Sequence, residues 1–396
     1  MSEQAQLEAR RTSLYQQLLR EVLGDAHRYA PGVEQRLPTR IAAASGPLPR
    51  RAARSGREHL RDLIERTAAR AGFSRRHFDP RVAAEHLTRI AELSEGFDCT
   101  LDLLADEASK RALLDLLKLR VLGPYHAPLR TTSAAYRAKQ AEVDRELRLE
   151  SATFEVSDPW FSPLSLYRVP VPGGPPVTLH SHSVDVVSVF LLHQYSYGQD
   201  GRRVGVGPGD VVLDVGGCWG DTALYFASLV GPTGKVYTFE FDPESLAILR
   251  ANLSLNPELA RRIEVVEQAL WDTSGESLGI IQAGRMTHVQ SDGTTSGLTV
   301  PTVTIDDFVD RTELEQLDFV KMDVEGVEMN VLRGATRALA ELRPRLGIAA
   351  YHRDDDLVQI PELIDSLGLG YRFFLNTYSA VEEETVLFAT AANSST

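Results

Sequence analysis

The chain has 396 residues, of which 43% are hydrophobic and 24% charged, so its length and composition suit a globular protein of two domains. Its two cysteines exclude a disulfide framework and predict a cytoplasmic location. The lack of an apolar leader or a long apolar run predicts no secretion signal and no membrane partner. The net charge of −13 argues against a nucleic-acid partner, because phosphate binding needs a basic surface.

Residues 1–150 predict a mainly helical N-terminal domain. Apolar side chains recur at helical spacing around residues 7–22, 60–68, 83–93 and 101–122, and Gly123 followed by Pro124 is typical of a helix end. Dimerisation into a homodimer, capping of a substrate site and docking of a carrier protein are three roles between which the sequence does not choose.

The composition changes after residue 150, and residues 151–396 form the second predicted domain. Turn residues separate two predicted strands at 166–171 and 177–182, so a β-hairpin lead-in is expected within about residues 160–200. Further strands are predicted at residues 211–215, 235–240, 263–269, 318–324, 346–351, 371–375 and 385–389. Helices are predicted at residues 221–230, 244–252, 328–342 and 360–367.

This alternation predicts an α/β fold with a mostly parallel, seven-stranded sheet and helices on both faces, in addition to the N-terminal helical domain. The last two strands follow each other without a helix between them. One of these two strands is therefore expected to be antiparallel.

The first candidate site is the glycine-rich loop at residues 214–220, which follows a predicted strand and precedes a helix. Glycine lets the backbone approach a ligand closely, and ligands in such sheets bind at the carboxyl ends of strands. A tight turn without a ligand is the alternative. We predict that this region contributes the following residues to a cofactor site: Asp214, Gly216, Gly217, Gly220, Asp221 and Thr222.

Glu240 ends the next predicted strand, where a carboxylate can accept hydrogen bonds from ribose hydroxyls. Cys218 stands where a dinucleotide-binding loop has the glycine that admits a pyrophosphate. The pattern therefore favours a nucleoside cofactor without phosphate, such as S-adenosylmethionine, with Phe241 beside it. Asp242 is expected to cap the following helix.

Two further segments are candidates for cofactor contacts. Gln268 and Ala269 end the third predicted strand and can reach an adenine edge, whereas Trp271 either packs on the ring or belongs to the core. Tyr195 is predicted to cover the other end of the cofactor, with core packing as the alternative.

Asp323 and His352 follow the fourth and fifth predicted strands and are expected to face one crevice. We predict that both are catalytic, that Asp323 also contacts the cofactor, and that His352 is a general base. A surface histidine is the alternative. Glu325 and Glu328 are expected at a helix N-terminus. A divalent metal such as magnesium on Asp323, Glu325 and His352 is left open but not expected.

Several ordered segments resemble the FkbM family of methyltransferases, namely residues 214–220, 236–242, 304–308, 319–328, 332–335, 350–352 and 384–389. The resemblance covers roughly residues 209–390. It implies a class I methyltransferase fold of the Rossmann-like type, S-adenosylmethionine as donor, and usually O-methylation of a sugar, glycolipid or natural product. It places Asp214, Gly216 and Glu240 on the cofactor. A commoner family form of the loop has Ala-Asn where this chain has Gly217 and Cys218.

The predicted function is thus transfer of a methyl group to a hydroxyl of a sugar, glycoside or natural-product small molecule. An enzyme that uses NAD or a nucleotide sugar is one alternative, against which the loop sequence and the closing strand pair argue. A non-catalytic scaffold that keeps the fold is the other, against which the presence of Asp214, Glu240, Asp323 and His352 argues.

Overall fold

The computed structural model describes residues 14, 16–18, 20–22, 80–124, 126–131, 133–157, 162–172, 174–199, 202–282, 287–290 and 297–391. The helix predicted at residues 60–68 lies outside the described residues. Of the helix predicted at residues 7–22, the described positions are helical. Throughout these ranges, each helix is too short or too polar to cross a bilayer.

Helices precede the first strand: α1 (Pro80–Glu92), α2 (Ser94–Leu103), α3 (Glu107–Leu122) and α4 (Ser133–Glu146). Asp106 caps α3 by accepting a hydrogen bond from the Ser109 amide at 2.8 Å. Gly123, with a φ of 76°, ends α3 where the sequence predicted a helix end. The buried side chains of α3 share one hydrophobic cluster with those of the central sheet, so α3 packs directly on that sheet.

The central sheet has seven strands, which are β6 (Val211–Val215), β7 (Lys235–Phe239), β8 (Ile263–Val266), β13 (Phe319–Met322), β14 (Arg345–Ala349), β15 (Tyr371–Thr377) and β16 (Thr385–Ala391). Their order is β15-β16-β14-β13-β6-β7-β8. β16 is antiparallel to both of its neighbours, and the other neighbouring pairs are parallel. The α/β class predicted from the sequence is confirmed.

Both faces of this sheet are buried. Neighbouring residues of a strand point to opposite faces, and Val212 and Leu213 of β6 accordingly belong to two different hydrophobic clusters. The first cluster also contains side chains of α9 (Ile305–Arg311) and α12 (Asp356–Ser366), and the second contains α6 (Asp221–Val230). The near-continuous apolar character of β6 follows from this two-sided burial.

The strand order reverses at β6, because β7 and β8 lie on one side of it and β13 on the other. A crevice forms outside the carboxyl ends of strands at such a switch point. The register places Asp214 of β6 opposite Thr238 of β7 and Lys321 of β13. These three side chains therefore lie directly below the crevice.

The predicted helix 328–342 is two helices, α10 (Glu328–Arg333) and α11 (Thr336–Leu342). A Cβ atom on Gly334 would lie 2.2 Å from the carbonyl oxygen of Trp271. The chain therefore approaches the Trp271 backbone between the two helices, and only glycine fits there.

The predicted strand 263–269 is also wrong as a single element. It ends as β8, and the chain then leaves the central sheet as β9 (Ala269–Leu270), which pairs in parallel with β12 (Thr299–Val303). The strands β10 (Ser277–Ile281) and β11 (His288–Gln290) complete this four-stranded sheet, and neither they nor β12 were predicted from the sequence. The chain after β8 thus pairs with β12 instead of extending the central sheet.

The remaining elements lead into or connect these layers. They are β1 (Arg148–Phe154), β2 (Leu164–Val169), β3 (Val177–Ser181), α5 (Ser183–Asp185), a π-helical segment (Val186–Leu191), β4 (Tyr197–Gln199), β5 (Arg202–Val204), α7 (Pro243–Ser254) and α8 (Pro257–Ala260). Strands β2 and β3 pair in an antiparallel manner in the region where the sequence predicted a hairpin.

Candidate active site

A cleft opens at the carboxyl ends of β6, β7, β9 and β13. Predicted site residues that line it are Gly216, Glu240, Phe241, Gln268, Ala269 and Asp323. Predicted cofactor residues that do not line it are Asp214, Gly217, Gly220, Asp221, Thr222 and Tyr195. The structure therefore brings half of the predicted cofactor residues to the cleft surface.

The glycine loop is pressed between the backbones of β7 and β13. The amides of Gly216 and Gly217 both donate to the carbonyl oxygen of Phe239, at 3.1 and 2.8 Å. Gly216 has a φ of 83°, and a Cβ atom there would lie 2.0 Å from the carbonyl oxygen of Asp323. A Cβ atom on Gly217 would lie 2.0 Å from the hydroxyl of Thr238. The loop needs glycine at both positions because its backbone has no room for side chains.

Asp214 supports this loop from below rather than from within the cleft. Its carboxylate is fully buried and accepts hydrogen bonds from the hydroxyls of Thr222, at 2.9 Å, and Thr238, at 3.0 Å. The ammonium group of Lys321 lies 3.3 Å away. Asp214 and Thr222, which were both predicted as cofactor residues, bind each other through their side chains, and their contact with a cofactor stays a prediction.

Lys321 is a residue that no sequence motif marked as functional. Its Nζ atom donates to the carbonyl oxygens of Val215, at 3.2 Å, and Gly216. Burial opposes its charge, but Asp214 and Asp323 outweigh burial and raise the pKa of Lys321. A lysine inside an apolar strand was the one sequence signal that could have marked Lys321. A buried cation requires charged or polar partners, so its position alone points to a polar cluster.

Glu240 occupies the tip of β7, as the sequence predicted, and is 8% exposed. Its Oε1 atom accepts hydrogen bonds from the amides of Phe241, at 2.6 Å, and Asp242, at 2.8 Å. Burial raises the pKa of Glu240 to about 7, although these hydrogen bonds lower it. Asp242 caps α7 through the Ser245 amide, at 2.9 Å, and the predicted cap is thereby confirmed.

The segment after β8 contributes a wall to the cleft. Gln268, Ala269 and Leu270 line it, whereas Trp271 is buried in the hydrophobic cluster of the four-stranded sheet. The core interpretation of Trp271 is therefore the right one. His288 of β11 also lines the cleft, in a region with no sequence signal for a strand.

Asp323 follows the end of β13, and its carboxylate accepts hydrogen bonds from two tyrosine hydroxyls. Tyr195 donates to its Oδ2 atom at 2.9 Å, and Tyr351 donates to its Oδ1 atom at 3.3 Å. Burial, followed by the charge of Asp323, raises the pKa of Tyr195 well above its ordinary value. Tyr195 is 2% exposed, so it holds Asp323 from behind rather than covering the cofactor.

His352 lies immediately behind the lining, among three carboxylates. Its side chain is 8% exposed, and its Nδ1 atom is 2.8 Å from Oε1 of Glu328. Its Nε2 atom is 3.4 Å from Oδ1 of Asp323 and 3.6 Å from Oε2 of Glu325. The structure thus brings together the predicted pair Asp323 and His352, and also the three side chains that were left open as metal ligands.

This environment bears on the predicted role of His352 as a general base. Burial opposes a charged imidazole, but Glu328, Glu325 and Asp323 outweigh burial and raise the pKa of His352 well above its ordinary value. A raised pKa favours the doubly protonated ring, which cannot accept a further proton, so the general-base role stays a prediction. Glu328 is more than a helix-start carboxylate, because His352 lowers its pKa against the opposing effect of burial.

Comparison with known proteins finds a family model that matches part of this chain. Residues 204–373 match the family model described as the methyltransferase FkbM domain. Over 161 residues, or 40% of this chain, the sequence is 31% identical to the hexuronic acid methyltransferase AglP of Haloferax volcanii, and the match spans 63% of that relative.

Two solved structures are similar at lower identity. A methyltransferase FkbM from Methylobacillus flagellatus is 18% identical, with 85% of this chain and 72% of that chain covered and a TM-score of 0.49. The fibrillarin of Aeropyrum pernix, solved with S-adenosyl-L-methionine, is 12% identical, with 61% and 98% covered and a TM-score of 0.33.

Proposed function

We propose that this chain transfers a methyl group from S-adenosylmethionine to a hydroxyl of a sugar, glycoside or natural-product small molecule. The match of residues 204–373 to the family model described as the methyltransferase FkbM domain supports this proposal. The observation that carries the proposal is that Glu240 and the glycine loop border the same cleft, where the strand order of the central sheet reverses. A carboxylate at this strand tip suits ribose hydroxyls. Cys218 takes the position of the glycine that a pyrophosphate needs.

The residues present fit a nucleoside with a short polar tail. Gly216 offers bare backbone, Glu240 offers carboxylate oxygens, and Phe241 and Leu270 offer apolar surface for a base. Gln268 and Ala269 stand beside this surface. When bound, S-adenosylmethionine supplies a methyl group on a positively charged sulfur, which an oxygen nucleophile displaces.

The chain's own task at the reactive end is to orient the acceptor oxygen. Asp323 lines the cleft, and the hydroxyls of Tyr195 and Tyr351 fix its carboxylate. An acceptor hydroxyl that donates to Asp323 would be held in line for displacement, and such alignment can supply several kcal/mol of the barrier. His352 lies on the other side of Asp323, with its Nε2 atom 3.4 Å from Oδ1.

The charge of the cleft supports a hydroxyl acceptor over a carboxylate acceptor. Asp323 and Glu325 line its reactive end, so an anionic acceptor would face two carboxylates. The name of the Haloferax volcanii relative, a hexuronic acid methyltransferase, supports a sugar as the acceptor class.

The donor is tested by calorimetry with S-adenosylhomocysteine, NAD and a nucleotide sugar. We expect binding of S-adenosylhomocysteine alone, and Glu240→Ala should weaken it at least about tenfold because the ribose loses a charge-assisted partner. Glu264→Ala, at an exposed carboxylate on β8, serves as the matched control and should bind normally. Tight binding of NAD would instead indicate the dinucleotide alternative, and binding of none of the three would indicate a scaffold.

The acceptor atom is tested by mass spectrometry after incubation with hexoses, glycosides and hexuronic acids. We expect a product that has gained one methyl group and keeps it under mild base, because an ether resists hydrolysis. A product that loses the methyl group under mild base would be an ester and would move the acceptor from a hydroxyl to a carboxylate.

A further inference from the structure

Asp323, Glu325 and His352 converge from two segments of backbone. Asp323 follows β13, Glu325 lies in the turn that follows, and His352 comes shortly after β14. One ligand atom from each side chain lies within 4.8 Å of the others. The cluster borders the cleft, since Asp323 and Glu325 line it.

The ring of His352 is fixed so that Nε2 points at the two carboxylates. Glu328 holds Nδ1 at 2.8 Å, and Glu328 itself is 1% exposed. Nε2 is buried, with the side chain 8% exposed, and it makes no hydrogen bond with the part of the chain that the structure describes. A histidine whose other nitrogen is bound by a buried carboxylate is the usual arrangement of a metal-ligating histidine.

The two separations from His352 fit one ion. Nε2 is 3.4 Å from Oδ1 of Asp323 and 3.6 Å from Oε2 of Glu325. For metal–ligand bonds of about 2.1 Å, such separations correspond to angles of roughly 108–118° at the metal, close to tetrahedral. The turn that carries Glu325 is held in place by Arg353, which donates to the carbonyl oxygen of Gly326 at 2.6 Å.

The charges also fit a divalent cation. Asp323, Glu325 and Glu328 place three carboxylates around one imidazole, so a singly charged ring leaves a net negative charge in a largely buried place. One nitrogen and two oxygen ligands suit a first-row transition ion better than calcium or magnesium, which prefer oxygen ligands alone.

We propose that Asp323, Glu325 and His352 bind one divalent first-row transition ion, with Glu328 orienting His352. The ion replaces the proton on Nε2 and keeps an open position toward the cleft. Resting on the proposed function, this position takes the acceptor hydroxyl. Coordination acidifies that hydroxyl, its proton leaves to water, and the oxygen–methyl bond forms as the sulfur–methyl bond breaks.

The test is Mn²⁺ binding to the full chain after chelation and desalting, measured by electron paramagnetic resonance and by calorimetry. We expect one Mn²⁺ per chain, in competition with Zn²⁺. Glu325→Gln should weaken binding at least about tenfold, as loss of a ligand does. Glu325 is the suitable first variant because its side chain is 29% exposed, so the fold should tolerate the change.

Asp356→Asn is the matched control. Asp356 forms a second candidate group with Glu328 and His352, on the other nitrogen of the same ring. We expect Asp356→Asn to bind Mn²⁺ as the wild type does. Loss of binding in Asp356→Asn with normal binding in Glu325→Gln would place the ion on the wrong side of His352 and overturn the proposal, as would no Mn²⁺ binding by the wild type.

Binding of S-adenosylhomocysteine by Glu325→Gln separates this inference from the proposed function. We expect it to be unchanged, since Glu325 lies at the reactive end. If the chelated wild type transfers methyl groups at the full rate and binds no Mn²⁺, the metal site is refuted and the methyltransferase function stands.

Discussion

The two ends of the cleft are positioned differently. Hydrogen bonds to the backbone position the residues at the cofactor end, whereas contacts between side chains position those at the reactive end. Gly216 and Gly217 are bonded to the Phe239 carbonyl, and Glu240 is bonded to the two amides that follow it. Asp323 and His352 are instead positioned by tyrosine hydroxyls and carboxylates from distant segments. Changes at the first end should therefore act on the fold and on cofactor binding, and changes at the second on charge and reactivity.

Lys321 connects the two ends, and its removal should have the largest effect. Lys321→Met leaves the fully buried carboxylate of Asp214 without its cation, so we expect a loss of about 3–5 kcal/mol in the free energy of unfolding by denaturant titration. Lys235→Met is the control, because the Lys235–Glu264 pair is exposed and should contribute at most about 1 kcal/mol. A similar small loss in both variants would mean that Lys321 does not support the loop.

Gly216→Ala should come next. The added Cβ atom would lie 2.0 Å from the Asp323 carbonyl, at a φ of 83°, so strain and overpacking together should destabilise the protein by about 3 kcal/mol and abolish binding of S-adenosylhomocysteine.

Gly231→Ala separates these two causes. Gly231 has a φ of 68°, and an added methyl group there would have nothing within 4 Å, so only the backbone contribution of about 1 kcal/mol remains. Equal losses in Gly216→Ala and Gly231→Ala, measured by chemical denaturation, would contradict the account of a loop pressed against β13.

Glu240→Gln should raise the stability of the unliganded protein, whereas the preceding variants lower it, and the size of the gain should depend on pH. The folded pKa of about 7 exceeds the ordinary value of 4.5, so the stability that Glu240 contributes is present at low pH and is lost as the pH rises through 7. At pH 8.5 we expect the unliganded variant to be more stable than the wild type by up to about 3 kcal/mol, and near pH 4.5 the difference should vanish.

Cofactor binding by Glu240→Gln should move the other way. Ribose hydroxyls donate to the ionised carboxylate, so the wild-type affinity for S-adenosylhomocysteine should fall as the pH drops below 7, and the affinity of the variant should be weak and independent of pH. A wild-type affinity that does not change between pH 5.5 and 8.5 would remove Glu240 from the ribose.

The same contrast explains how far sequence reasoning reached. Glu240 and the glycine loop were predicted because strand ends and spacing are local signals, and the parallel strands align them. Asp323 and His352 come together for the same reason, since each follows a parallel strand of the central sheet. The raised pKa of His352 has no local signal, because it depends on Glu328 and Glu325, whose nearness to the ring arises only when two chain segments meet.

The elements of the fold also differ in whether a local sequence pattern predicts them. Apolar runs such as β6 and β13 predicted the central strands, since two-sided burial marks them in the sequence. The break at Gly334 and the departure of β9 into the four-stranded sheet depend on contacts with Trp271 and β12, which no local pattern encodes. The cleft wall at His288 was missed for that reason.

Removing the hydroxyl of either tyrosine that binds Asp323 should have the smallest effect on stability. The difference between these two variants tests how the side chains at the reactive end of the cleft are positioned. Tyr195→Phe removes a buried 2.9 Å hydrogen bond to a carboxylate and should destabilise the protein by about 2 kcal/mol. Tyr351→Phe removes a longer, 3.3 Å bond and should cost about 0.5 kcal/mol. Both variants should keep their affinity for S-adenosylhomocysteine, because Glu240 and the loop are untouched. In methyl transfer, Tyr195→Phe should be the slower variant, since Asp323 then keeps only the longer of its two tyrosine hydrogen bonds. Equal stability and equal turnover in the two variants would show that Tyr195 only fills space behind Asp323, and orientation of that carboxylate would then rest on His352.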